Sequence, residues 1–175
     1  MGYPTFASGE VLTAADMNAV GLWLVKTQTI GTGVTSVTVS GAFSATYNNY
    51  KILIDGGSAS TNANLILTLG SKTSNYRSNL IYSSWTTNIQ AIGSTTATGM
   101  IYAGNISPSG QFLNVELISP FLSTNTFSTG HWSSSNDTGV SQMQTNDTTS
   151  YTAFTLTCGA GNMTGGTIRV YGYRN

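Results

Sequence analysis

Short apolar runs separated by Gly, Asn and Ser follow one another from residue 28 onward, and this rhythm constrains the fold more than any other feature of the chain. The runs are rich in Val, Ile, Thr and aromatic residues, and no helical periodicity lies between them, which excludes a parallel βαβ architecture. The predicted strands are 34–40, 50–55, 63–69, 79–83, 98–103, 112–119, 126–133, 139–144, 151–158 and 165–173. The sequence therefore predicts a mostly β fold, a single antiparallel β-sandwich or barrel, with a jelly-roll-like sandwich as the preferred form.

Some of these strands are apolar on both faces. The alternation places the following residues on opposite faces: Leu65, Leu67 and Leu69 against Ile66, and Leu113, Val115 and Leu117 against Phe112 and Ile118. One face fills the interior of the sandwich. The second face either contacts a neighbouring subunit or is covered because the strand is central. The first interpretation predicts a homotrimer, in which the second face is buried between copies.

The N-terminal residues have a different character. Residues 13–27 predict a short α-helix, with Thr13 as N-cap and Asp16 in the first turn. Pro4 and Gly9 make the segment before it an extended arm. We therefore divide the chain into residues 1–28, an arm and helix for attachment or oligomerisation, and residues 29–175, the β domain. The apolar residues expected to be buried against partners are Phe6, Leu12, Met17, Val20, Leu22, Trp23 and Leu24.

Charge is scarce and balanced. Six basic and six acidic residues cancel, and charged residues make up 7% of the chain. Nucleic-acid binding needs clustered Lys and Arg, so the scattered cations argue against that class of partner. The longest apolar run has seven residues, from Ala19 to Val25. A membrane-spanning helix needs about twenty, so no membrane span is expected.

Few residues suit catalysis or metal binding. His131 is the one histidine and Cys158 the one cysteine. Neither stands in a recognisable nucleophile motif, and together they do not complete a zinc site. Asp137 and Asp147 each follow Asn and precede Thr, which is common turn chemistry and also offers oxygen atoms to calcium. The sequence predicts no enzyme, no metal and no cofactor.

Aromatic residues in the polar segments suggest an adhesive surface. Tyr76, Trp85 and Trp132 are the candidate receptor-binding residues, since Tyr and Trp next to Asn and Ser form contact surfaces at low entropic cost. The alternative is that these side chains are core or interface anchors. Host-surface glycan is the candidate ligand.

The segment from Phe6 to Asn18, FASGEVLTAADMN, resembles a motif near the N-termini of tailed-bacteriophage tail-fibre and minor virion proteins. The family pattern runs F-x-x-G-x-x-L-T-A-A-x-M/L-N, and the chain matches each fixed position. The C-terminal segment 166–173, GTIRVYGY, is similar to the closing strand of small phage appendage domains. The resemblance implies a non-enzymatic, trimeric virion component whose N-terminus, including Phe6, faces the particle.

Two structural roles are compatible with these expectations. The first is a short trimeric appendage, a tail or head fibre, that docks on other virion proteins (capsid, portal or tail) and exposes its β domain to the host. The second is a capsid decoration or cement protein that stabilises the head. In both, the protein is made in the host bacterial cytoplasm and resides in the virion.

Overall fold

The computed structural model of the chain describes residues 8, 9, 11, 21–86 and 88–173. The described residues form fifteen strands, none of them is helical, and every strand pairing among them is antiparallel. The strands are β1 (Trp23–Thr29), β2 (Thr32–Val34), β3 (Ser36–Val39), β4 (Asn49–Asp55), β5 (Ser58–Ala59), β6 (Ala63–Leu69), β7 (Tyr76–Ser84), β8 (Gln90–Ala97), β9 (Met100–Ile106), β10 (Gln111–Ile118), β11 (Phe127–Ser134), β12 (Asp137–Thr145), β13 (Phe154–Cys158), β14 (Met163–Thr164) and β15 (Thr167–Tyr173).

The strands belong to three sheets. The large sheet has eight strands in the order β1-β15-β4-β10-β11-β12-β7-β8. A four-stranded sheet, β3-β13-β6-β9, faces part of it, and β9 packs against β7, β10, β11 and β12. The third sheet, β2-β14-β5, is small. The prediction of a mostly β, antiparallel fold is confirmed.

Alternation along the strands separates the core from the surface, as the pleat of a β-strand requires. In β10, Leu113, Val115 and Leu117 are fully buried, while Phe112 and Ile118 on the opposite face are 47% and 36% exposed. The two-sided apolar pattern predicted for this strand is therefore present. It leaves large apolar side chains on a face of the large sheet that no described element covers.

Strand β8 was not among the predicted strands. Between Gln90 and Ala97 the chain is mostly polar, and its side chains are exposed except for Ser94 and Ala97. It pairs with β7 alone, at one edge of the large sheet. Backbone hydrogen bonds to β7 keep β8 in the sheet. Because backbone hydrogen bonds do not depend on side-chain type, they leave no hydrophobic pattern in the sequence.

The predicted helix is wrong for its C-terminal part. Residues 23–27 lie in β1, which pairs with β15 from Trp23 opposite Gly172 to Thr29 opposite Thr167. The clustered apolar residues of this segment predict a helix. Its end, however, contains the β-branched residues Val25 and Thr27, which favour a strand. Pairing with β15 then decides the structure of residues 23–27. Gly21 and Leu22 are not helical either, and the remainder of the predicted helix, residues 13–20 with Thr13 and Asp16, lies outside the described residues.

The boundary drawn after residue 28 therefore falls inside β1. Residues 23–28 belong to the β domain, because they form one edge of its large sheet. Four of the residues predicted for attachment, Phe6, Leu12, Met17 and Val20, lie outside the described residues. The other three, Leu22, Trp23 and Leu24, lie at or in β1.

Candidate functional site

The uncovered face of the large sheet is the main candidate surface, and we call it the outer face. It crosses the sheet from β1 to β8, and its large apolar side chains are between 36% and 57% exposed. These are Leu24, Ile81, Phe112, Ile118, Phe127 and Val140. Soluble monomers rarely display such a group of apolar side chains on one face, and where they occur they mark interaction sites.

Strand register brings these side chains into rows. Phe127 of β11 lies directly opposite Ile118 of β10. Val140 of β12 lies between His131 of β11 and Ile81 of β7. Cross-strand neighbours of this kind are close enough to contact each other. The outer face thus carries two apolar pairs, Ile118 with Phe127 and Ile81 with Val140, set among polar side chains.

A groove of about 930 Å³ runs along the outer face between β11 and β8. Phe127 and Ile118 form its apolar wall, and amide and hydroxyl groups form most of the rest. Arg77 lies opposite Gln144 on neighbouring strands and donates to its Oε1 atom at 3.3 Å. Among the described residues that line the groove, Arg77 is the one charged side chain, and none carries a carboxylate.

Three charged groups near the other end of the outer face, Asp55, Arg169 and Glu116, have protein partners. Arg169 donates to both carboxylate oxygens of Asp55 at 2.9 Å. Glu116 lies opposite Lys51 and accepts a hydrogen bond from the Tyr173 hydroxyl. Burial, followed by the hydrogen bond to Glu116, raises the pKa of Tyr173, so the phenol keeps its proton. Paired charges lower the cost of covering this face with another surface.

The three aromatic residues predicted to bind a receptor are not brought together. Tyr76 is fully buried and Trp132 is 4% exposed, so both are core residues, which corrects the surface role predicted for them. Their strands place them on the inner side of the large sheet, where the alternation of β7 and β11 directs every second residue. Trp85 is 63% exposed at the end of β7, and its indole Nε1 donates to the Ser134 carbonyl at 3.3 Å.

The Tyr76 hydroxyl bridges two backbone groups, the Leu69 amide and the Lys72 carbonyl. The hydroxyl accepts a hydrogen bond from the Leu69 amide at 2.8 Å and donates to the Lys72 carbonyl at 3.2 Å. Burial raises the pKa of Tyr76 to about 12, although the Leu69 amide acts in the opposite direction. The phenol is therefore neutral at ordinary pH and serves as a fixed structural bridge.

We expect Tyr76→Phe to lower the free energy of unfolding by about 1–3 kcal/mol, because it leaves the buried Leu69 amide without a partner. Tyr82→Phe is the matched control, since the Tyr82 hydroxyl bonds to Gln90 Oε1 at an exposed site. The control should change stability by less than about 0.5 kcal/mol. Urea denaturation of both variants checks this, and equal effects would contradict the core role of Tyr76.

Asp147 organises the turn after β12. It pairs with the Lys72 ammonium, accepts from the Tyr151 hydroxyl at 2.8 Å and accepts from the Thr149 amide at 3.2 Å. Burial alone raises the pKa of the Asp147 carboxyl, but the hydrogen bonds from Lys72 and Tyr151 and the Lys72 charge outweigh it. The net result is a pKa below the ordinary value. The turn interpretation of this Asn-Asp-Thr step is therefore confirmed by the Thr149 contact.

This lowered pKa predicts an acid-sensitive stability. The contribution of Asp147 is complete above its unfolded-state pKa of 3.8 and is lost as the pH falls through the lower folded-state value. We expect Asp147→Asn to destabilise the protein near neutral pH and to have a smaller effect under strong acid. The same change in a Lys72→Met background should have a smaller effect at every pH, because the ion pair is already absent. Thermal unfolding across pH measures this, and a pH-independent effect of Asp147→Asn would contradict it.

The candidate catalytic side chains are separated. His131 lies exposed on the outer face in β11. Cys158 is buried in β13 of the four-stranded sheet, where its thiol donates to the Ala160 carbonyl. Burial raises the pKa of that thiol, which disfavours the thiolate. The described residues hold no cluster of three His, Cys, Asp or Glu side chains that could bind a metal ion.

Among the described residues there is also no helix with the length and apolar character needed to cross a bilayer.

Comparisons with models of protein families, with curated proteins and with solved structures found no significant match for this chain.

Proposed function

We propose that this chain is a structural, non-enzymatic component of a bacteriophage virion: a short trimeric appendage that docks on the particle by its N-terminal segment and exposes its β domain. In this proposal the large and four-stranded sheets form a jelly-roll-like sandwich, and the outer face is buried between copies of the chain. The protein is made in the host bacterial cytoplasm and resides in the virion, where its partners are other copies of itself and capsid, portal or tail proteins.

The observation that carries the proposal is the outer face. Six large apolar side chains are exposed together on one side of the sheet, and the ion pair of Asp55 with Arg169 lies on the same side. Since the formal net charge of the chain is zero, identical copies approach each other without net repulsion. A second copy of the same chain is therefore the occupant that this face fits best.

The location on the particle rests on the N-terminal motif. The segment from Phe6 to Asn18 resembles the motif of phage tail-fibre and minor virion proteins, and the apolar residues of that segment supply a docking surface. Leu24 continues the same apolar character into β1, where it is 57% exposed at an edge of the large sheet. Leu24, the outer-face residue of β1, thus follows the N-terminal segment closely in the sequence.

Deletion of residues 1–12 tests the proposal. The deletion spares β1, which begins at Trp23, and should leave a folded trimer. Purified phage particles should then lack the protein, as measured by mass spectrometry of the particles against the full-length chain. Incorporation at the full-length level would contradict N-terminal docking. A truncated protein that is monomeric would show instead that the arm acts in assembly of the trimer.

Antibody labelling of intact particles distinguishes the appendage from the capsid decoration role. Label at the tail or at isolated points of the head supports the appendage. Label distributed over the whole head surface supports a decoration or cement protein. Absence of the protein from particles overturns both roles.

A further inference from the structure

A second cavity lies between the large sheet and the four-stranded sheet, on the inner side of β7 and β8. Its volume is about 220 Å³, which is enough for one six-membered ring with substituents. Its lining includes Tyr82, Tyr102, Trp132, Asn105 and Asp137. The cavity is separate from the outer face, because Trp132 points to the inner side of the sheet.

Two residues of this lining each carry a buried polar atom that has no hydrogen-bond partner among the described residues. One is the indole Nε1 of Trp132, which is a donor, and the other is Oδ1 of Asn105, which is an acceptor. Trp132 is 4% exposed, so its N–H is remote from bulk solvent. Buried polar groups are nearly always satisfied, and an unsatisfied one calls for an explanation.

Asp137 is held firmly at the cavity. Its Oδ1 accepts a hydrogen bond from the Ser134 hydroxyl at 2.6 Å, and its Oδ2 accepts from Asn105 Nδ2 at 3.2 Å. Because Asn105 donates through Nδ2 to the carboxylate, its Oδ1 is left to accept from another group. A carboxylate oxygen has capacity for a second hydrogen bond, so Asp137 remains able to accept from a ligand.

Apolar side chains also line the cavity. The position of the Trp132 indole in it depends on Gly139. Gly139 lies opposite Trp132 in the neighbouring strand, and a Cβ at this position would come within 2.7 Å of the indole ring. The indole therefore occupies space that a larger residue would fill. Leu80 and Ile92 add aliphatic surface beside the aromatic rings. The C–H groups of a saturated ring pack favourably against aromatic faces of this kind.

We propose that this cavity binds a single neutral sugar ring, such as a terminal pyranose of a glycan. A hydroxyl group both donates and accepts, so adjacent hydroxyls satisfy the Trp132 donor and the Asn105 acceptor together. A primary ammonium ion offers donors only and leaves the indole N–H unpaired. An anion meets the Asp137 carboxylate, and no Lys or Arg among the described residues lines the cavity to compensate. The cavity thus selects an uncharged, polyhydroxylated ligand.

The site gives the proposed appendage a means to contact a host-surface glycan, and that biological role rests on the proposed function. Sugar binding itself does not, because it is a property of the isolated protein. The two are tested separately: virion incorporation tests the proposed function, and titration of the purified chain tests the cavity.

Indole N–H resonances in a two-dimensional ¹H–¹⁵N spectrum report on the cavity directly. The chain contains three Trp residues, and Trp132→Phe assigns the relevant signal. The uniformly ¹⁵N-labelled protein is titrated with the methyl glycosides of glucose, galactose, mannose and N-acetylglucosamine, each to about 50 mM, a range that covers the millimolar affinity of a single small ring. At least one glycoside should shift the Trp132 signal in a saturable manner, with the signal of Trp23, at the far edge of the large sheet, unchanged.

Two variants and two control ligands make the result decisive. Asp137→Asn should weaken binding about tenfold or more, since it removes a charged acceptor. Ile89→Ala changes an exposed side chain outside the cavity lining and should leave binding unchanged. Methylammonium and glucuronate should leave the Trp132 signal unmoved. No shift with any neutral glycoside, a shift with either charged ligand, or a crystal structure from the sugar-soaked protein with ordered water alone in the cavity would overturn the proposal.

Discussion

Val140→Asp should dissociate the proposed trimer. Val140 lies on the outer face in β12, between His131 and Ile81, and is 40% exposed in the single chain. In the proposed trimer an aspartate at this position would be buried in the subunit contact, where the one polar side chain directly opposite it is that of His131, and burying such a charge costs several kcal/mol. We expect the dissociation constant to increase by at least about 100-fold, as measured by sedimentation equilibrium.

Leu122→Asp is the matched control for this change. Leu122 has the same exposed fraction, 40%, but lies in the loop between β10 and β11 and not on the outer face. This variant should remain trimeric. Circular dichroism should show unchanged β structure in both variants, because neither side chain belongs to the core. Dissociation by both variants, or by neither, would contradict the assignment of the outer face as the subunit contact.

Phe154→Ala should lower the free energy of unfolding by about 3–5 kcal/mol, the usual cost of removing a large aromatic side chain from a core. Phe154 is fully buried in β13, and its ring stacks on Phe43 with 5.9 Å between the ring centroids. Its backbone pairs with Val39 on one side and Leu69 on the other. The side chain therefore lies at one end of the four-stranded sheet with strands on both sides of it, and its full burial means that its removal leaves a cavity.

Urea denaturation at one fixed protein concentration measures this effect, because the stability of an oligomer depends on concentration. Ile89→Ala is the control: Ile89 is 76% exposed in the segment between β7 and β8, and its truncation should cost less than about 0.5 kcal/mol. A loss below about 1 kcal/mol for Phe154→Ala would show that the four-stranded sheet contributes little to the folded state.

Most of the β structure is predictable from the sequence, because alternation of apolar and polar residues depends only on the period of a strand. The buried set Leu113, Val115 and Leu117, with Phe112 and Ile118 on the opposite face, was predicted from this alternation alone. Edge strands are different, since one side of the strand is unpaired and their side chains need not be apolar. This is why β8 was missed.

The segment that forms β1 shows how tertiary pairing overrides local preference. Leu22, Trp23 and Leu24 suit a helix face as well as a strand, and only the β15 partner decides between the two. No pattern within the segment reveals that partner, because it lies about 145 residues later in the chain.

The candidate sites were less predictable than the fold. Tyr76 and Trp132 stand in polar segments, and only the register of their strands shows that they point inward. The cavity around Trp132 combines residues from β6, β7, β8, β9, β11 and β12, so no short motif signals it. The sequence shows that Asn, Asp and aromatic residues are present. It does not show that they come together around one cavity.

The mass of the protein in solution tests the central claim, that the outer face is a contact between three copies of this chain. Sedimentation equilibrium of the full-length protein at micromolar concentration measures it independently of shape. We expect a species three times the 18.3 kDa mass of the chain. A single species of 18.3 kDa at these concentrations would contradict a trimer, because the apolar outer face would then be exposed to water.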